Sequence, residues 1–247
     1  MDKIVEICCG SYYDAKEAAL GGAKRIELNS ALNLGGLTPG ISTLELVKDN
    51  LELKVIAMVR PRGAGFCYLD EDFQVMLKEC EALMKSGADG IAFGCLNEDH
   101  TLDLAKNKAM IEIIKKYHGE AVFHRAFDCT IDPFETMALL IEIGVDRVLT
   151  SGHRPKAVEG KELIKNLQKK FGDQIEILAG SGVNASNARE LMEMTGIHQV
   201  HSSCKDWLTD PTTSTGFVSF SYGMAPNENG YEVVSHDLVR KLIDHIN

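Results

Sequence analysis

Short runs of β-branched and apolar residues alternate along this chain with longer stretches of helical periodicity. The short runs fall near residues 3–8, 24–29, 53–59, 89–94, 120–125, 146–151, 175–180 and 198–203. The helical stretches fall near 12–20, 41–49, 71–86, 103–117, 133–143, 157–171, 185–194 and 235–246. Eight strand–helix alternations in 247 residues predict an α/β fold, a single-domain (β/α)8 TIM barrel rather than an open doubly wound sheet. A chain of about 250 residues is the usual size for such a barrel.

A repeated joint supports that reading. Gly22-Ala-Lys-Arg-Ile, Gly87-Ala-Asp-Gly-Ile, Gly144-Val-Asp-Arg-Val and Gly196-Ile-His-Gln-Val each place a glycine between a helix and the strand that follows. A glycine there can take the left-handed conformation that ends a helix. The four joints precede the second, fourth, sixth and eighth strands.

Alternate strand residues point to opposite faces. Val5, Ile7, Ile26, Leu28, Ile91, Phe93, Val148 and Val200 should face the outer helices. The other face then carries Glu6 and Cys8, Arg25, Glu27 and Asn29, Arg147, Leu149 and Ser151, and Gln199, His201 and Ser203. The predicted barrel interior is therefore unusually charged. Arg25 and Arg147 fit internal ion pairs or a site, whereas Glu6, Glu27 and Arg60 lie nearer the carboxyl ends, where barrel ligands bind. Residues 204–234, rich in Thr, Ser, Gly, Asn and Pro, read as an irregular segment before the closing helix. Leaving the mouth end of the last strand, it is either a lid or a flexible excursion.

The richest polar cluster follows the fifth strand, in the run Glu120 to Cys129. There His124, Arg125 and Asp128 come directly after Ala121-Val122-Phe123. Such groups are costly to bury unpaired and suit the mouth of a site. With Glu6 and Glu27, His124 and Asp128 are candidates for acid–base work or for holding a divalent cation. Arg60-Pro61-Arg62-Gly63 offers two guanidiniums to a carboxylate or phosphate. Gly180-Ser181-Gly182, a glycine-rich turn leading into a helix, joins His201-Ser202 at the common phosphate position of these barrels. Arg60, Arg62, Arg125, Gly180, Ser181, Gly182, His201 and Ser202 are thus the candidate anion-binding residues.

Other functions recede. A net charge of −10 argues against a nucleic-acid surface. No apolar run approaches the ~18 residues of a membrane span. There is no G-x-S-x-G elbow, no H-E-x-x-H helix, and no lysine at the carboxyl end of a strand for a Schiff base. The amino terminus enters a strand pattern without a signal peptide, and the seven cysteines are not arranged in pairs. A cytoplasmic protein with reduced thiols is expected. Six cysteines (Cys8, Cys9, Cys67, Cys95, Cys129 and Cys204) fall at or just past strand ends, where thiolates would favour Cu(I), or where they simply serve as small hydrophobes.

The motifs R-I-E-L (Arg25–Leu28), G-G-L-T-P (Gly35–Pro39), R-P-R-G (Arg60–Gly63), F-H-R-A-F-D (Phe123–Asp128), V-L-T-S-G (Val148–Gly152) and V-H-S-S (Val200–Ser203) occur in order across nearly the whole chain. In this the sequence resembles the CutC family of copper homeostasis proteins. The resemblance implies a cytoplasmic TIM barrel, often a homo-oligomer, with Cu(I) as a proposed ligand. Cys8 matches one cysteine associated with copper in that family. Its usual partner, directly after R-I-E-L, is here Asn29. Cys8 would need another partner, with Cys67 and Cys95 as the candidates. Two expectations stand side by side: copper homeostasis through Cu(I), and an enzyme acting on a small anionic metabolite at the barrel mouth.

Overall fold

The computed structural model describes residues 3–246. Eight parallel strands close into a barrel: β1 (Ile4–Cys9), β2 (Arg25–Leu28), β3 (Lys54–Met58), β4 (Gly90–Phe93), β5 (Glu120–Phe123), β6 (Arg147–Thr150), β7 (Glu176–Ala179) and β8 (Gln199–Ser202). The ring shuts by pairing β1 with β8, placing Glu6 beside His201. Seven helices cross between strands: α1 (Tyr12–Leu20), α2 (Ile41–Asn50), α3 (Asp70–Lys85), α4 (Leu104–Lys116), α5 (Pro133–Glu142), α6 (Lys161–Phe171) and α7 (Ala188–Thr195). The fold is the expected single (β/α)8 barrel. Helix α6 starts later than its periodicity suggests, because residues 152–160 turn tightly on themselves, with Gly152 against Gly160.

The outward strand residues Ile7, Ile26, Leu28, Ile91, Phe93, Val148 and Val200 are buried in one apolar layer beneath the helices. Gly22, Gly87, Gly144 and Gly196 all have positive φ, between 77° and 97°, as a left-handed helix stop requires. The barrel interior is divided. One side is an apolar plug of Ile56, Met58, Ala92 and Val122. The other is ionic: Arg25 meets Glu6 at 2.7 Å and Gln199 at 2.6 Å. Arg147 meets Glu120 at 2.9 Å and Glu176 at 2.8 Å. Of the two readings of Arg25 and Arg147, internal ion pairing is the one found.

The segment expected to be irregular is ordered at its base. Lys205–Thr209 (β9) and Gly230–Val234 (β10) pair antiparallel, ahead of α8 (His236–Ile246). The base is pinned to the barrel by Asp14. One Asp14 oxygen accepts the Val234 N–H at 2.8 Å, and the other accepts the Gly10 N–H at 2.8 Å. Beyond β9 and β10 an arm projects. Residues 211–227 carry no charge, and Phe217, Val218, Phe220 and Met224 are exposed there. Thr, Ser and Gly dilute the β-formers of this segment, which hides the zipper from a reading of periodicity.

Candidate functional site

At the carboxyl end of the barrel lies a cavity of about 510 Å³. Side chains from β1, β2, β8 and the loops after β3, β5 and β7 line it, among them Cys8, Glu27, Asn29, Arg60, His124, Arg125, Ser181 and His201.

Glu6 lies under the floor, 1% exposed. Its Oε1 accepts a hydrogen bond from His201 Nδ1 at 2.9 Å. Burial works to raise the Glu6 pKa, but the His201 hydrogen bond and the charges of Arg25, His201 and Arg147 outweigh it and bring it to about 2. His201 is held charged in turn. Burial opposes the charge, yet Glu27, Cys8 and Glu6 around the ring keep its pKa well above the usual imidazole range. Glu27 goes the other way: burial lifts its carboxyl, the Glu6 charge adds to the lift, and His201, Asn29 and Cys8 do not reverse it. Asn29 Nδ2 donates to Glu27 Oε2 at 2.9 Å and approaches Cys8 Sγ at 3.6 Å. Burial also pushes the Cys8 thiol up.

Cys8, Glu27 and His201 bring one donor atom each to within 4.8 Å of one another. Sulfur, carboxylate oxygen and imidazole nitrogen at that spacing can hold a metal ion. The second ring nitrogen of His201 is already fixed by Glu6, the usual arrangement behind a metal-bound histidine. Cu(I) would have to displace the protons of the Cys8 thiol and of His201 Nε2; the thiolate and imidazole so formed suit it, and the donor set then accommodates copper without a second cysteine. The donor atoms gathered around Cys8 are those of Glu27 and His201, rather than those of Cys67 or Cys95. Cys67 is exposed and Cys95 is buried, and neither lines the cavity.

His124 is the first residue after β5 and caps a short 3₁₀ turn over Arg125–Cys129. Its Nδ1 accepts the Ala126 N–H at 3.2 Å, so the ring proton sits on Nε2. That atom is buried and has no partner among the described residues. Burial, helped by the Arg60 charge, lowers the His124 pKa to about 3 and keeps the ring neutral. Gly94 makes room for it: a Cβ there would lie 2.8 Å from the imidazole.

The candidate anion-binding residues separate. Arg60 spends its guanidinium on the carbonyls of Leu34, Gly36 and Ala64, at 2.9, 3.0 and 2.6 Å, and lies over the Phe66 ring. Only its Nε is left unpartnered among the described residues. Arg62 turns away to Asp72 at 2.9 Å and does not line the cavity. Arg125 does line it, tied to Asp128 and Ser151 at 2.8 Å each. Asp128 lies outside the lining as a loop clasp, accepting from the Thr150 hydroxyl at 2.5 Å and the Ser151 and His153 amides. Ser181, Gly182 and Ser202 line the cavity, while Gly180 packs below them against Leu149 and His201. Lys205 and Glu232, ion-paired at 2.6 Å, complete the rim, and no motif in the sequence marked them. Among the described residues no helix is long and apolar enough to cross a membrane.

Comparison with known proteins agrees with this architecture. The CutC family model matches residues 3–206. The chain is 43% identical to the family protein CutC of Treponema denticola, over 97% of both chains. It is 37% identical to a human protein named copper homeostasis protein cutC homolog, covering 82% of this chain and 73% of that one. A crystal structure of a CutC protein from Streptococcus agalactiae superposes with a TM-score of 0.77 at 25% identity, over 81% of this chain and 98% of that one. The chain belongs to the CutC family.

Proposed function

We propose that this protein serves copper homeostasis in the cytoplasm by binding one Cu(I) between Cys8 and His201. The observation that carries the reading is the convergence of the Cys8, Glu27 and His201 donors, with Glu6 behind the imidazole. The name of the human relative points the same way. A reducing compartment suits seven free thiols. Self-association is part of the reading, since the arm exposes Phe217 and Phe220 together on an uncharged tip.

The test is an anaerobic Cu(I) titration against a competing chelator, with wild type beside Cys8→Ala and His201→Ala. Tight one-to-one binding, lost in both variants, is expected. Affinity indifferent to either substitution removes the site.

A second reading has its own support: the cavity takes a small anionic metabolite. Among the described residues, Arg60 Nε and His124 Nε2 are buried donors without partners, in residues that line a cavity of metabolite size.

A further inference from the structure

Order around the barrel decides what the cavity can hold. In a closed ring of eight strands β7 stands opposite β3, and β5 stands opposite β1. The Ser181–Gly182 turn after β7 therefore faces Arg60 across the mouth, with Glu27 on β2 beside it; His124, two strands round from β3, joins the Arg60 wall through Phe66. Ser181 and Gly182 have φ of 81° and 72°. Among the described residues neither backbone N–H has a backbone acceptor. Exposed peptide N–H groups of this kind seat a phosphate.

The opposite wall asks for something else. His124 Nε2 carries a proton on an uncharged ring, because Nδ1 is occupied by the Ala126 N–H. A neutral donor in a buried wall matches a carbonyl oxygen. Phe66 packs on both His124, at 4.9 Å between ring centroids, and Arg60, so the two donors sit against one apolar surface. Glu27 Oε1, also buried and unpartnered among the described residues, is an acceptor and matches a hydroxyl. His124, Arg60 and Glu27 are 2%, 6% and 3% exposed, so each unmet bond costs free energy that a ligand recovers.

We propose that the cavity binds a small hydroxylated ketone or aldehyde bearing one phosphate. The phosphate lies at the Ser181–Gly182 turn, the carbonyl oxygen on His124 Nε2 and a hydroxyl on Glu27. This rests on the reading of the cavity as a site for a small anionic metabolite, and it adds the chemistry of the uncharged end.

Calorimetric titration of the full chain with dihydroxyacetone phosphate, glycerol 3-phosphate and inorganic phosphate tests it. Dihydroxyacetone phosphate should bind at least tenfold more tightly than glycerol 3-phosphate, which lacks the carbonyl. In His124→Phe that preference should vanish, while glycerol 3-phosphate still binds, which also shows that the variant is folded. His124→Gln, which retains an N–H donor, should recover part of the preference. Equal affinity of the wild type for the two organic phosphates, or a preference that survives in His124→Phe, overturns the carbonyl assignment and leaves the anion reading standing. Absence of binding by all three probes overturns both.

Discussion

His201 Nδ1 and Glu6 Oε1 meet at 2.9 Å across the seam where β8 closes onto β1. The last strand is thereby locked to the first by a buried, charge-assisted hydrogen bond, and the same bond orients the imidazole at the cavity floor. Glu6→Gln removes the charge that balances Arg25 and Arg147 as well as His201. Breaking one member of such a buried network costs about 3–5 kcal/mol. Denaturant unfolding at pH 7 should show a loss of that size. The Glu6 pKa lies below its ordinary 4.5, at about 2. Its stabilisation is therefore full above 4.5 and fades as pH falls from 4.5 through 2.

His124 gives a second acid-sensitive contribution at higher pH. Its folded pKa of about 3 lies below the ordinary 6.5. The unfolded chain thus takes up a proton that the folded chain refuses once pH drops below 6.5. By pH 4.5 this costs roughly 2–3 kcal/mol. Stability measured at pH 7 and pH 4.5 should fall less in His124→Gln than in wild type by about that amount. Identical slopes would mean that His124 can be protonated in place.

Asn29 sits where a second thiolate would reach the proposed copper. Its Nδ2 is 3.6 Å from Cys8 Sγ. Asn29→Cys should therefore tighten Cu(I) binding at least tenfold in chelator competition, and the gain should disappear in the Cys8→Ala background. No gain would place the copper away from Cys8.

Arg60 acts as a clamp on the loops after β2 and β3 through the carbonyls of Leu34, Gly36 and Ala64. A lysine ammonium gathers its three donors on one nitrogen and does not reproduce the planar fork that reaches these carbonyls from two. Arg60→Lys should cost about 2–4 kcal/mol. Backbone amides of residues 30–38 should exchange faster with solvent, while those of β6 and β7 stay protected. Uniform protection in the variant would show that the loops hold without the clamp.

The arm should decide the oligomeric state. Phe217→Ser with Phe220→Ser removes two exposed aromatic rings without touching a buried contact. Light scattering should report a dimer or larger assembly for wild type and a smaller mass for the double variant. Equal masses would assign association to another surface.

Strand parity carried far into the interior. The inward placement of Glu6, Arg25, Glu27, Arg147 and His201 follows from alternation alone, because a one-residue slip would put Ile7 and Ile26 inside. Pairings were not legible in the same way. Glu6 meets His201 through barrel closure across 195 residues, which no local pattern encodes. Arg62 and Asp128 stand in motifs that suit an anion site or a proton relay. Asp72 draws the first outward, and the second is consumed by backbone amides after β6. The sequence shows which residues bear charge, but not which of them the loops have already satisfied. Lys205 and Glu232 reach the rim only because β9 and β10 zip together.

The ionic packing of Arg25, Arg147, Glu6, Glu120 and Glu176 fills the barrel on the side away from the cavity. A tube stoppered in this way has one door. Whatever reaches Cys8 and His201 passes Arg60 and the Ser181–Gly182 turn going in, and passes them again coming out. If the proposed ion at the floor and the proposed metabolite above it bind together, they cannot exchange independently, since the outer guest bars the inner one. Departure would then run in the reverse order of arrival, with release of the deeper guest governed by the lifetime of the shallower one.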